Sequence, residues 1–142
     1  MTTNLIPFLE MNGKAKEAIE LYVKGLDAEV VSTLLAGDAP WNAESQMSVE
    51  MKELIQFAIL KVGDSELRLS DFFTGSSYEK GGTQMTICIT TEDKAKATQF
   101  YEALKQDGYV HEALKDSPFS PAYATVTDKF GVTFKILTVV PR

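Results

Sequence analysis

The sequence predicts an α+β protein made of two tandem modules, each running strand, helix, strand, strand, strand (βαβββ). Three observations predict it. Ala15, Ala18, Ile19 and Tyr22 fall at i, i+3, i+4 and i+7, and Ala97, Phe100, Tyr101 and Leu104 repeat that spacing, so two amphipathic helices occupy matching places. Strand-like runs follow each helix in the same order. Local likeness falls in that order too: Ala18-Ile19-Glu20-Leu21-Tyr22 resembles Ala97-Thr98-Gln99-Phe100-Tyr101, and Leu67-Arg68-Leu69 resembles Phe134-Lys135-Ile136. Amphipathic segments resemble one another by chance, but two matches in the right order indicate duplication.

Residues 5–11 are mostly apolar and read as the first strand, which Asn12-Gly13 interrupts. Asn12 is the expected N-cap of the first helix and Gly25 its stop. A strand is expected over 29–35. The turn-rich run 37–48, with Pro40 before Trp41, predicts a long loop. Residues 55–62 and 66–72 read as a hairpin joined at Gly63-Asp64. A linker is expected over 76–82, ending in Gly81-Gly82, which divides one domain (1–142) into module one, about 1–75, and module two, about 83–142. The second module opens with a strand over 83–89, and Thr90 or Thr91 caps its helix, which Gly108 stops. Strands over 110–114, 123–127 and 132–139 follow, the last two joined through Asp128-Lys129-Phe130-Gly131.

A chain of 142 residues with 44% hydrophobic content can bury one real core. Its formal net charge of -6, without basic runs, argues against nucleic acid or an anionic membrane as a partner, since both are held by clustered Lys and Arg. Cys88 is the only cysteine, so neither an intrachain disulfide nor a cysteine metal cluster can form, which fits a reducing compartment. No run approaches the roughly 20 apolar residues of a membrane span, and the first residues lack a basic flank, so a cytoplasmic protein is expected.

Three motifs carry a resemblance to a known family. They are Ile6-Pro7-Phe8-Leu9-Glu10-Met11-Asn12-Gly13 leading to Ala15, Ala18 and Tyr22; Gly63 to Leu69-Ser70-Asp71; and Asp128-Lys129-Phe130-Gly131-Val132. Spanning nearly the whole chain, they resemble the PhnB-like branch of the vicinal oxygen chelate superfamily, which includes glyoxalase, bleomycin resistance and dioxygenase proteins. The resemblance implies modules that curl into a cup, a curved mixed sheet with helices on its outer face, and pairing of modules between chains in a homodimer. The branch has carried a demethylubiquinone methyltransferase label. No strand followed by a glycine-rich loop and helix supports it in this sequence.

Metal-dependent members of the superfamily hold a divalent ion with His, Gln and Glu from the first and last strands of each module. Carried over, those positions fall on Pro7, on or beside Arg68, near Gln84 or Thr86, and on Lys135. Pro7, Arg68 and Lys135 cannot ligate, and two cations in place of two carboxylates repel a metal. No metal and no cofactor is therefore expected. His111, the single histidine, lies away from these positions, and a solvent-facing or structural role is expected. Neither a nucleophile elbow nor a phosphate loop is present, and Cys88 has no evident histidine partner.

Strand alternation indicates which side chains face the cup. With Leu67 and Leu69 toward the helices, Arg68 and Ser70 face inward. Met85, Ile87 and Ile89 toward helix leave Gln84, Thr86 and Cys88 inward, and Phe134 and Ile136 toward helix leave Lys135 and Leu137. On 55–62, Phe57 and Ile59 are expected toward helix, with Gln56, Ala58 and Leu60 in the cup. The candidate ligand-facing residues are thus Gln56, Arg68, Ser70, Gln84, Thr86 and Lys135. Trp41 and Tyr123 join them as aromatics suited to capping a cleft or a dimer contact, the alternative for Trp41 being to pack under its own loop. A buried cation needs a partner. Glu10, Glu50, Asp71 or Glu66 can provide one; otherwise the cup admits water and an anionic ligand.

The leading expectation is a metal-independent protein that binds a small molecule, an anionic one where Arg68 and Lys135 are not paired internally or simply hydrated in an open cleft. A superfamily enzyme with a relocated metal site, using Gln56, Gln84 and Glu10, is the second. A third, an antibiotic-sequestering protein, draws on Pro40-Trp41 and Phe72-Phe73.

Overall fold

Backbone hydrogen bonding decides where the expected elements form. A computed structural model describes residues 4–42, 46–71, 85–118 and 120–139; the expected linker, Gln84 and Phe72-Phe73 lie outside them. The chain divides into two compact units, Met1–Tyr78 and Glu79–Arg142.

In the first unit β1 (Phe8–Glu10) leads to α1 (Ala15–Gly25) and β2 (Glu29–Leu35), and later to β3 (Ile55–Val62) and β4 (Ser65–Ser70). The strands form a mixed sheet in the order β1-β4-β3-β2, with β1 parallel to β4 and the other pairs antiparallel. Gly63 takes φ 58° in the two-residue hairpin turn between β3 and β4, a conformation that favours glycine. The turn-rich run after β2 contains two 3-10 turns, Ala36–Asp38 and Pro40–Asn42. Four residues, Val49–Lys52, then form α2, where Ser48 Oγ accepts from the Met51 amide at 3.1 Å.

The helical spacing read from the sequence holds in α1, where Ala15, Ala18 and Tyr22 are buried. Its expected cap does not. Asn12 and Gly13 take left-handed φ of 47° and 91° to turn the chain, Lys14 occupies the cap position, and no side-chain cap bond comes from it. The carboxylate of Asp71 supplies the acceptor from the end of β4: Oδ1 accepts from the Ala15 amide and Oδ2 from the Ile55 amide, both at 2.8 Å. A buried carboxylate with two charge-assisted bonds ties helix, β3 and β4 together.

The second unit repeats the order with β5 (Ile87–Thr91), α3 (Lys94–Leu104), β6 (Tyr109–Ser117), β7 (Ser120–Thr127) and β8 (Thr133–Thr138), as a sheet β5-β8-β7-β6. Again the outer pair β5 and β8 is parallel. Helix α3 packs on β7 and β8, where Val126, Phe134 and Ile136 are buried. Asp93, rather than Thr90 or Thr91, caps it: Asp93 Oδ1 accepts from the Ala95 amide at 2.8 Å, while Thr91 Oγ1 accepts from the Asp93 amide at 3.2 Å. Gly108 is not the helix stop, because α3 has ended at Leu104 and the left-handed residue is Asp107. A Cβ on Gly108 would stand 2.2 Å from the Thr127 carbonyl oxygen, so glycine is needed for close approach to β7. Asp27 and Asp107 share φ 56° at matching places after the two helices. Among the described residues no helix is long and apolar enough to cross a membrane.

Candidate functional site

Residues opposite one another across a ladder share a face of the sheet. In the first unit Ala58 stands opposite Leu69 and Leu60 opposite Leu67, and all four are exposed by 4% or less. The other, open face therefore carries Ile59, opposite Arg68, and by alternation Phe57; Phe8 joins them through its parallel register with Arg68. This reverses the alternation expected for β3. Its run Ile-Gln-Phe-Ala-Ile-Leu is apolar at both parities, so bulk alone assigned Phe57 and Ile59 to the wrong side. Gln56 falls on the side of Ala58, where its Oε1 accepts from Asn42 Nδ2 at 2.9 Å.

On this open face the guanidinium of Arg68 lies 5.7 Å from the centroid of the Phe57 ring. Phe57 in turn stacks on Phe8 at 6.0 Å with an interplanar angle of 17°. Arg68 Nη2 donates to Glu66 Oε1 at 3.2 Å. Arg68 Nε is buried and has no hydrogen-bond partner among the described residues. Ser70 is buried opposite Glu10. Trp41, on the second 3-10 turn, is 67% exposed and does not pack under the described part of its loop.

Alternation in the second unit agrees with expectation. Cys88 and Thr125 flank Lys135 in register, Tyr123 stands opposite Leu137, and Phe134 and Ile136 take the buried face with Ile87 and Ile89. Lys135 Nζ donates to Tyr123 Oη at 3.4 Å and sits 5.9 Å from that ring. Both Tyr123 Oη and Thr125 Oγ1 donate to Glu112 Oε1 at 3.2 Å. Cys88 is exposed on this face, and partial desolvation pushes its thiol up from its ordinary value, while neighbouring Lys135 opposes that. Thr86 is exposed just before β5.

Glu112 was not legible as a site residue. Strict alternation puts it and His111 on opposite faces, but an irregularity between Val110 and Glu112 inserts one residue into β6. Both then bond open-face hydroxyls: His111 Nε2 lies 2.7 Å from Thr127 Oγ1, itself 2.7 Å from Thr133 Oγ1. The same irregularity separates Val30 and Ser32 in β2, so the bulge is part of the repeat.

These faces offer a metal little. Pro7 contributes only its carbonyl oxygen, which accepts from the Arg68 amide at 3.0 Å, and the corresponding late-strand positions of the two sheets are the cations Arg68 and Lys135. Among the described residues no three His, Cys, Asp or Glu side chains converge.

Comparison with known proteins adds the lineage. A family model described as 3-demethylubiquinone-9 3-methyltransferase matches residues 3–137. Protein PA1353 from Pseudomonas aeruginosa, a crystal structure, is 28% identical with a TM-score of 0.81, covering 96% of this chain and 97% of its own. The PhnB protein from Bacillus cereus is 22% identical with a TM-score of 0.76 over 95% and 98% of the two chains. The fosfomycin resistance protein FosX from Mesorhizobium loti, 12% identical over 99% and 95%, shares the fold at a TM-score of 0.59.

Proposed function

The chain belongs to the 3-demethylubiquinone-9 3-methyltransferase family, in its PhnB-like branch with the glyoxalase/bleomycin resistance-like fold, and from that premise we propose that it is a metal-independent binding protein for a small anionic molecule. One observation carries this: Arg68 and Lys135 hold equivalent positions on the two sheets, each half-buried on the open face of its own sheet. A cation held partly out of water gains most from an anion that replaces the lost hydration. The same two residues stand where a metal-binding relative would need acceptors, so the donor set does not fit a divalent ion.

Methyl transfer is not part of the proposal. Each unit is a βαβββ module, and among the described residues none has the strand, glycine-rich loop and helix that cradle a methyl-donor nucleotide. A cytoplasmic homodimer is part of it. The outer strands β2 and β6 expose Val30, Val31, Tyr109 and Val110, which a second copy would cover.

Thermal unfolding in the presence of small carboxylates and phosphonates tests the binding. A ligand that binds only the folded state at about 100 times its Kd stabilises it by about 2.7 kcal/mol. Parent protein should gain stability with at least one such anion, and Arg68→Ala or Lys135→Ala should lose the gain. Equal gains in parent and both variants would exclude these cations as the site.

A further inference from the structure

The cation of the first sheet has surroundings that the second does not share. Phe8 and Phe57 form a stacked pair beside Arg68, and Phe8 is 51% exposed, so an aromatic surface borders a guanidinium on an open face. Arg68 is only partly engaged: Glu66 accepts from Nη2, while Nε has no partner among the described residues. A guanidinium carries five N–H donors; Nε is buried, so the donors left for another acceptor are those of the two Nη atoms that Glu66 does not take.

We propose that the open face formed by Phe8, Phe57 and Arg68 is a binding site for a planar aromatic monocarboxylate. The ligand's ring lies against the phenylalanine pair and its carboxylate takes N–H donors of Arg68. This rests on the anion reading above and narrows it to one sheet and one ligand class. Planarity follows from the flat stacked pair, because an offset or edge contact between aromatic rings adds to simple area burial. A single negative charge follows from the surroundings: Glu66 already neutralises part of the guanidinium, and Glu10 lies two residues along β1 from Phe8 on the same open face. A second negative charge on the ligand would face these carboxylates. The second sheet sets Lys135 beside a single ring, that of Tyr123, whose hydroxyl it donates to, and Cys88 stands where Phe8 does in the first, so it has no stacked aromatic pair.

Calorimetry and 19F line broadening with 4-fluorobenzoate, compared with cyclohexanecarboxylate and acetate, test the assignment on the full chain. The aromatic acid should bind about tenfold more tightly than cyclohexanecarboxylate, which has the same charge and similar bulk but no π face. Arg68→Ala should abolish binding, and Phe8→Leu should remove the aromatic preference; Phe8 is at an exposed edge, so far-UV circular dichroism should be unchanged. Glu66→Gln should tighten binding a few-fold, about threefold, by releasing Nη2, a gain that a merely structural arginine would not give. Equal affinity for the aromatic and aliphatic acids with dependence on Arg68 would overturn the aromatic assignment and leave the anion site standing. Binding that survives Arg68→Ala and fails in Lys135→Ala would move the anion to the second sheet. If none of the carboxylates binds, this assignment falls, and if phosphonates are also inert the anion reading falls with it.

Discussion

The two sheets share a topology and differ in what fills equivalent positions. Beside the cation stands Phe8 in the first and Cys88 in the second; across from it stand Ile59 and Thr125. One residue pair further along, Phe57 gives way to Tyr123. Their buried faces change far less: Leu60, Leu67 and Leu69 in the first unit answer to Val126, Phe134 and Ile136 in the second, and all are nearly inaccessible. Packing density explains the contrast, since a buried face must be filled by apolar volume whereas an open face is free to diverge. Across the repeat the fold is held by one face and the chemistry differs on the other.

How the sheet ends are tied differs more, and there the largest energetic effect is expected. Asp71, 5% exposed, joins the start of α1 to the end of the first sheet through two amide bonds. At the matching end of the second sheet Thr138 receives a neutral clasp, Ser120 Oγ donating to its carbonyl at 2.7 Å and accepting from its amide at 3.1 Å. Helix α3 is capped by Asp93 from its own chain neighbourhood. Asp71→Ala strands two buried amides and should cost about 3 kcal/mol, against about 1 kcal/mol for Asp93→Ala at an exposed cap. Urea unfolding of the two variants measures the difference. Equal losses would mean that the carboxylate clasp is no stronger than an ordinary cap.

Next in size is the turn that follows each helix. Ala28 carries its Cβ into a buried position before β2, while Gly108 before β6 meets the Thr127 carbonyl where a Cβ would go. Gly108→Ala should therefore cost about 2 kcal/mol through a forced backbone shift, and Ala28→Gly about 1 kcal/mol or less through added freedom of the unfolded chain. The order of the two losses in thermal unfolding checks it. A milder effect at Gly108 would show that β7 can withdraw at little cost.

The duplication, both helices and the β4 and β8 alternations were legible because each rests on a periodic pattern with one apolar parity. Leu67-Arg68-Leu69 and Phe134-Lys135-Ile136 admit only one reading. On β3 the pattern failed, since Phe57, Ala58, Ile59 and Leu60 are all apolar and only pairing with β4 decides between them. Glu112 was hidden by a bulge, which changes parity without leaving a residue signature of its own. Asp71 could be read as a partner for a cation, but its bond to Ala15 spans most of the first unit in sequence, and no local motif reports a cap from that distance.

The smallest expected effect concerns the one position beside the cations where a titratable group replaces an aromatic ring. Partial desolvation raises the Cys88 thiol above its ordinary 9.0, and the ammonium of Lys135 pulls in the opposite direction. The folded chain thus prefers the protonated thiol. Its contribution to stability is present in full below pH 9.0 and is lost as pH rises through the higher folded value. Cys88→Ser should flatten that alkaline decline. Because the thiolate is the reactive form, Cys88 should also react with iodoacetamide more slowly at pH 8.5 in the folded protein than in the unfolded chain. Lys135→Met removes the opposing ammonium and should slow the reaction further. Faster alkylation in that variant would show that lysine shields the thiol instead of stabilising its anion, and the second sheet's cation would then be a cover over Cys88, unlike Arg68 beside Phe8.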